Sequence, residues 1–334
     1  MPPEISILLP AFDAARTLAG ALRSVQRQTE PRWECLVVDD GSRDGTLALA
    51  RAAARADSRI RVLARPHAGI VGALRAGLAE CRAPLVARMD ADDLMSRRRL
   101  LLQRSALDAN PELSAVGCHV RLFPRAGLRD GRLSYERWLA SIDTPEAVQR
   151  EAFVECPIAH PGLMIRRAVL AELDYRDVGW PEDYDLLLRL LEARHRVGVV
   201  PQRLLHWRDG AGRLSRTSAV YGIPAFVACR AEFLARGFLA QSERYVLWGY
   251  GDTGKALAEA LAQRGKHPAA ILELHRGRLG QIIRGVPVLH PDALLGLPRL
   301  PLLVSVAGLT PRTEIRATLS LLGFVETRDY VCAA

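Results

Sequence analysis

Four short apolar runs, each stopped by turn-forming or acidic residues and each followed by a segment with helical spacing, leave the first hundred residues little choice of fold. Ile5 to Leu9 ends at Pro10, and Leu18, Leu22 and Val25 then recur at helical spacing. Trp33 to Val38 closes on Asp39-Asp40-Gly41-Ser42, Thr46 to Ala56 is alanine-rich, and Ile60 to Leu63 is a third run. Gly69 to Cys81 reads as a helix, and Leu85 to Met89 runs into Asp90-Ala91-Asp92-Asp93. Short continuous apolar runs suit strands covered on both faces. Strand, helix and strand at this rhythm imply an α/β fold, a parallel sheet with helices on both faces. Ligands of such sheets gather beyond the carboxyl ends of the strands, where both acidic clusters fall.

From about residue 113 the rhythm loosens. Leu113 to Phe123 reads as strand, Arg129 to Trp138 as loop, Pro145 to Phe153 as a short helix and Glu182 to Ala193 as a helix. A helical stretch from Ile223 to Phe238 precedes a fresh start, in which Val246-Leu247-Trp248 runs into Gly249-Tyr250-Gly251-Asp252-Thr253-Gly254 and a helix from Lys255 to Arg264. A chain of 334 residues exceeds the usual single domain. The expected division is therefore 1–238 and 239–334.

Hydrophobic residues make up 49% of the chain and charged ones 25%, which excludes disorder. The net charge of +9 is carried almost wholly by arginine, because Lys255 and Lys266 are the only lysines. Such a surface attracts phosphates, acidic glycans or anionic lipid heads. No basic run interleaved with aromatics and no metal-finger spacing is present, so nucleic acid is not an expected partner. The six cysteines (Cys35, Cys81, Cys118, Cys156, Cys229, Cys332) are scattered among apolar neighbours, as buried small hydrophobes are. No secretion leader and no membrane-length apolar run is seen, so the expected location is cytoplasmic, with peripheral binding to the cytoplasmic membrane face left open.

Carboxylates crowded at strand ends repel unless a cation offsets them. Asp39-Asp40 and Asp90-Ala91-Asp92-Asp93 are expected to converge on one crevice because both follow neighbouring strands. Hard oxygen ligands of that kind suit Mg²⁺ or Mn²⁺ shared with substrate phosphates. Helix capping is the competing role of such acids, and the better one for Asp44.

The segments ISILLPAFDAARTLAGALRSVQRQT at 5–29, VVDDGSRDGT at 37–46 and ARMDADD at 87–93, in that order, resemble the opening of the family 2 glycosyltransferases with the GT-A fold. The likeness continues through AHPGLMIRR at 159–167 and PEDYDLLLRL at 181–190, covering roughly the first 215 residues. It implies that Pro10 and Ala11 begin the nucleotide pocket, that Asp40 meets the base and that Asp90 lies near the ribose. Asp92 would bind the metal that bridges the donor diphosphate, and Asp183 would be the catalytic base. Phe12-Asp13 and Arg97 depart from the family's usual aromatic-asparagine pair and proline, which leaves base and donor open. Without the resemblance, Glu182 and Asp183 after Pro181 read simply as acids favoured by a helix dipole. Asp185 is expected to cap or to pair with Arg189. His160 borders the acceptor side; His206 and Arg208, in a closing loop that extends to Arg216, are candidate contacts of diphosphate or metal.

The resemblance implies transfer of a sugar from a nucleotide diphosphate donor, a UDP-sugar being expected, to a hydroxyl of a glycan or lipid-linked acceptor. Displacement assisted by one base inverts the anomeric centre. The Gly249-x-Gly251-x-x-Gly254 loop, with Glu273 at the end of the following strand, meets the context of a dinucleotide-binding motif. It resembles the Rossmann-like N-terminal domain of sugar acetyltransferases, which points to an accessory nucleotide- or sugar-binding domain. An NAD-dependent oxidoreductase acting through that loop, and a non-catalytic scaffold, are the alternatives.

Overall fold

The computed structural model describes residues 2–210, 213 and 217–334. Leu214, Ser215 and Arg216 of the expected closing loop lie outside the described residues. The chain divides into two compact units, Met1–Val148 with Pro157–Val178 and Asp185–Arg213, and Gln149–Cys156 with Gly179–Tyr184 and Leu214–Ala334.

The elements run β1 (Ile5–Ala11), α1 (Leu18–Gln26), β2 (Trp33–Asp39), α2 (Thr46–Ala56), β3 (Ile60–Ala64), α3 (Gly69–Glu80), β4 (Leu85–Arg88), β5 (Leu94–Met95), α4 (Arg99–Ala109), β6 (Leu113–Phe123), α5 (Asp130–Leu139), α6 (Pro145–Glu151), β7 (Met164–Arg166), α7 (Arg167–Leu173), α8 (Glu182–Glu192) and β8 (Arg196–Arg208). The sheet order is β3-β2-β1-β4-β7-β6-β8-β5. Strands β1 to β4 are mutually parallel where they pair. Every residue of β1 and β2 is buried, as helices on both faces require. Gly77 shows how closely one of them lies: a Cβ there would stand 2.3 Å from Leu8 Cδ1 and 2.6 Å from Val38 Cγ2. The rest of the sheet is mixed, with β7 antiparallel to β4 and β6, and β5 antiparallel to β8.

Three expectations are corrected. The two acidic clusters do not follow adjacent strands, because β1 stands between β2 and β4. Residues 130–139, expected as loop, form α5: Tyr135 and Trp138 join the core, and buried Glu136 accepts from Leu122 N at 2.6 Å and Arg125 Nη1 at 2.7 Å. That helix is stabilised by distant partners that local periodicity does not register. Residues 205–208, expected in a loop, end the thirteen-residue β8, whose backbone is paired with β6 and β5.

The second unit continues with α9 (Ile223–Arg236), β9 (Arg244–Trp248), α10 (Asp252–Ala262), β10 (His267–Leu272), β11 (Ile282–Ile283), β12 (Val286–Leu289), β13 (Leu302–Val304), α11 (Leu309–Leu321) and β14 (Tyr330–Cys332). Its sheet order is β11-β12-β10-β9-β13-β14, parallel apart from the β11–β12 hairpin. Starting from β9, the chain adds strands first on one side and then on the other, the doubly wound pattern of nucleotide-binding sheets. Helix α10 starts at Asp252, one turn earlier than expected, because the glycine loop ends at Gly251. All six cysteines are buried, and none is in a disulfide. Among the described residues no helix is long and apolar enough to cross a membrane.

Candidate active site

Beyond the end of β4, Asp90, Asp92 and Asp93 each offer a carboxylate oxygen, and the three lie within 4.8 Å of one another. Arg99 braces this turn from below: fully buried, it donates from Nη2 to Arg88 O at 2.8 Å and from Nε to Gln103 at 2.9 Å. Asp90 pairs with Arg88 at 2.6 Å. Fully buried Asp93 accepts from Arg208 N at 2.7 Å through one oxygen, while its other oxygen has no hydrogen-bond partner. Arg208 also donates from Nε to the Asp92 carbonyl at 2.7 Å and lies over the Phe123 ring. Burial, then the Asp90 charge, raises the proton affinity of Asp92; burial, then Asp90 and Asp92, raises that of Asp93 well above the usual carboxylate range. Three hard oxygen donors, mutually repelling and with one buried lone pair unused, fit a divalent cation. Asp92 and Asp90 were legible as candidates, whereas Asp93's direct place in the group emerges only from its burial. The acidic signal was present in the sequence at 90–93; Arg88, two residues before it, carried no signal of its own.

Asp39 and Asp40 stand apart from that group of three. Asp40 is buried and holds the start of α3, accepting from Gly69 N at 2.9 Å and Ala68 N at 3.1 Å, with His67 Nδ1 at 2.8 Å. Ala11 O accepts from Asp40 N at 2.9 Å, so Pro10 and Ala11, Asp40 and the α3 terminus meet at one edge. Exposed Phe12 stacks on His67 with centroids 4.3 Å apart. This ring pair was not anticipated. Asp44 accepts from Thr46 N at 2.9 Å at the start of α2, the capping role expected of it.

His206 lies on β8 opposite Leu94 of β5, with its ring edge-on to Phe123. Burial, then Arg121, lowers its proton affinity. His160 sits in a 3₁₀ turn, buried, with Nε2 3.0 Å from Tyr175 Oη, and burial, then Arg88, holds it neutral. Asp185 is fully buried between Arg176 at 2.5 Å and Arg189 at 2.6 Å, which includes the pairing expected of it.

In the second unit, Glu182 and Asp183 open α8 after Pro181. Glu182 is buried and accepts from the Tyr221 hydroxyl. Half-buried Asp183 accepts from Tyr184 N at 2.7 Å. Burial pushes Asp183 up to about 7, with the Glu182 charge adding to the shift and Glu155 contributing further. A carboxyl poised near neutrality can exchange a proton at working pH. Tyr184 fixes this turn: it is fully buried and donates from Oη to Ala152 O at 2.7 Å. Neither Tyr221 nor Glu155 could be read from the sequence, because 39 residues separate Tyr221 from Glu182. Gly249 and Gly251 lie in the loop between β9 and α10, Gly254 lies in the first turn of α10, and Glu273 follows β10.

A mixed sheet with a parallel half, and a carboxylate triad beyond the end of its β4, point to the GT-A fold of the glycosyltransferases. The family model of glycosyl transferase family 2 matches residues 6–174, just over half of the chain, and the chain belongs to that family. It is a glycosyltransferase. EpsE of Bacillus subtilis (strain 168) is 29% identical over a match covering 68% of this chain and 82% of its own. The UDP-Glc:alpha-D-GlcNAc-diphosphoundecaprenol beta-1,3-glucosyltransferase WfgD of Escherichia coli is 34% identical, with 32% of this chain and 42% of its own covered. Among solved structures, S. aureus TarS 1–349 in complex with UDP-GlcNAc aligns with a TM-score of 0.54 at 16% identity, covering 78% of this chain and 72% of that one. The mannosyltransferase PcManGT from Pyrobaculum calidifontis, in complex with GDP-Man and Mn²⁺, aligns at 0.50 and 17% identity over 97% and 81%. At such identities the structural likenesses show the fold.

Proposed function

We propose that the chain is an inverting, divalent-metal-dependent transferase that moves the sugar of a nucleotide diphosphate, a UDP-sugar, to a hydroxyl of a glycan or lipid-linked acceptor. The observation that carries this reading is the triad of Asp90, Asp92 and Asp93 with its unpartnered buried oxygen. Its support from relatives is the UDP-GlcNAc complex of TarS, the Mn²⁺ complex of PcManGT, and the lipid-linked acceptor in the name of WfgD. In this reading Asp92 is the principal ligand of Mg²⁺ or Mn²⁺, with Asp90 beside the donor ribose and Asp93 behind. The cation, when bound, supplies electrostatic stabilisation of the departing diphosphate. Pro10, Ala11 and Asp40 form the base pocket, and Arg208 and His206 border the diphosphate. Asp183 takes the proton of the acceptor hydroxyl, and Glu182, whose charge raises Asp183, sets the pH at which it does so. A single base-assisted displacement inverts the anomeric centre. His160 is a supporting residue of the acceptor side. Residues 1–238 make up the transferase, residues 239–334 an accessory nucleotide- or sugar-binding domain, and the enzyme works in the cytoplasm or at the membrane face.

The test is a panel of sugar nucleotides assayed for slow hydrolysis with Mg²⁺, Mn²⁺ or EDTA, because water can stand in for an unidentified acceptor. Turnover of one UDP-sugar that EDTA abolishes, and that Asp92→Ala and Asp183→Ala variants with native circular dichroism lose, is the expected result. Full activity in either variant would reject that residue's role.

A further inference from the structure

Asp183 belongs to the second unit, because Gly179–Tyr184 and Gln149–Cys156 group with Leu214–Ala334. Domain boundaries ordinarily fall at exposed linkers that few contacts cross. Here two segments from within residues 1–238 are built into the second unit, and one of them carries the carboxyl. A base has to be held to within a fraction of an ångström of the proton it takes. The Asp183 carboxylate accepts from the next amide, Tyr184 N at 2.7 Å, a bond that moves with the chain. Its place is therefore set by the residues beside it. Glu182 is tied to the Tyr221 hydroxyl. Fully buried Tyr184 donates from Oη to Ala152 O at 2.7 Å and packs on the Phe226 ring of α9, with centroids 5.4 Å apart. The first turn of α8 thus hangs from the backbone of Gln149–Cys156.

That segment is itself pinned by residues far along the chain. Buried Arg230 of α9 donates from Nη2 to Val154 O at 2.9 Å and from Nη1 to Ala333 O, just after β14, at 2.6 Å. One planar guanidinium thereby joins the segment to the edge of the second sheet. Buried Glu151 meets Arg316 Nη1 of α11 at 2.9 Å, and Arg316 is held in turn by Glu326 through Nε at 3.0 Å and Nη2 at 2.8 Å. Such a pair tolerates little displacement, because separating it strands a buried charge. Phe153 packs against the apolar cluster that includes Leu234, Tyr245 and Val331, and Val154 against the one that includes Trp248, Ile315 and Cys332. The segment therefore has two jobs. Glu151, Phe153 and Val154 grip the second sheet and its helices, while Ala152 offers its carbonyl to Tyr184 and Glu155 adds its charge to that of Glu182 on Asp183.

We propose, resting on the reading of Asp183 as the base, that the second unit is part of the catalytic machinery: it seats that base through Gln149–Cys156, with Arg230 and Arg316 as positioning residues. Residues 239–334 then serve the transfer reaction directly, whatever else they bind.

The test uses the full chain carrying Arg230→Met or Arg316→Gln, each with and without Asp183→Asn. Arg284→Gln, which opens an exposed ion pair with Glu259 in the same unit, is the control. The assay is metal-dependent hydrolysis of the UDP-sugar that the donor panel selects. Arg230→Met and Arg316→Gln should lower kcat by about 10- to 100-fold, the cost of a reacting group displaced by about an ångström. Donor KM and the calorimetric affinity for UDP with Mn²⁺ should stay within about twofold. In the Asp183→Asn background the same changes should cost nothing further, because they act through that carboxyl. Hydrogen exchange reads the seating with no substrate at all: Arg316→Gln should speed exchange across Gly179–Tyr184 as well as across Gln149–Cys156. Exchange that quickens only beside Glu151 and Glu326 overturns the seating. So do wild-type kcat in both arginine variants, an equal loss in Arg284→Gln, or a loss of the same size with and without Asp183→Asn; each of these leaves Asp183 standing as the base. Full activity in Asp183→Asn alone removes the base, and the seating with it. Should Arg230→Met fail to fold, Arg316→Gln, at a partly exposed side chain, decides the matter.

Discussion

Asp183→Asn should make the protein inactive and, above neutral pH, more stable. Burial and the Glu182 charge hold the carboxyl near 7 against its ordinary 3.8. A shift of that size corresponds to about 4 kcal/mol of unfavourable free energy in the ionised form. The side chain is half-buried, so solvent screening reduces the expected figure to about 2 kcal/mol. The sign follows from proton counting. Between pH 3.8 and about 7 the native state holds a proton that the unfolded state has released, so rising pH favours unfolding across that window; above about 7 the penalty is complete. Asparagine keeps an oxygen for Tyr184 N and removes the charge. Urea denaturation at pH 4 and pH 8 should therefore show the variant near wild type at the lower pH and about 2 kcal/mol more stable at the higher. Transfer activity should fall by about 10²- to 10⁴-fold, the usual worth of a positioned base. A stability difference that does not change with pH, or a variant less stable than wild type at pH 8, would refute the idea that the protein carries a strained carboxylate for catalysis.

Glu182→Gln should move the acid limb of the pH–rate profile to lower pH by about one pH unit, since a neighbouring like charge is removed; an unmoved limb would mean another group is titrating. Asp185→Asn breaks a fully buried pairing with Arg176 and Arg189, and should cost about 3–5 kcal/mol in urea unfolding. Gly77→Ala forces a methyl against Leu8 and Val38, and should cost about 1–3 kcal/mol, read from the same assay; a smaller loss would show that α3 can lift off the sheet. Asp92→Asn, which relieves crowding with Asp90 and Asp93, should leave the melting temperature in EDTA unchanged or raised while Mn²⁺ affinity, read by calorimetry, falls.

Local sequence was sufficient for the elements whose pattern is self-contained. The strands β1 to β4 and their helices bury continuous apolar runs or single stripes, and each run ends at residues that cannot continue it, so their order and type are legible residue by residue. The clusters at 39–40 and 90–93 are legible too, because acidic residues end both strands and the family motif orders them, although Asp40 serves the start of α3 and only 90–93 gathers a triad. What the tertiary structure decided are the features made by partners distant in sequence. Helix α5 exists because Glu136, Tyr135 and Trp138 find places on the core, and residues 205–208 are strand because β6 and β5 satisfy their backbone. The separation of Asp40 from the triad follows from where β1 inserts in the sheet. Asp183 is an ordinary helix-start acid by composition, and only burial beside Glu182 and Glu155 gives it a proton near neutrality. Likewise Glu273 reads as a ribose ligand until Arg278 and three backbone amides occupy it. Burial and charge proximity are properties of the folded neighbourhood, and a linear pattern contains neither.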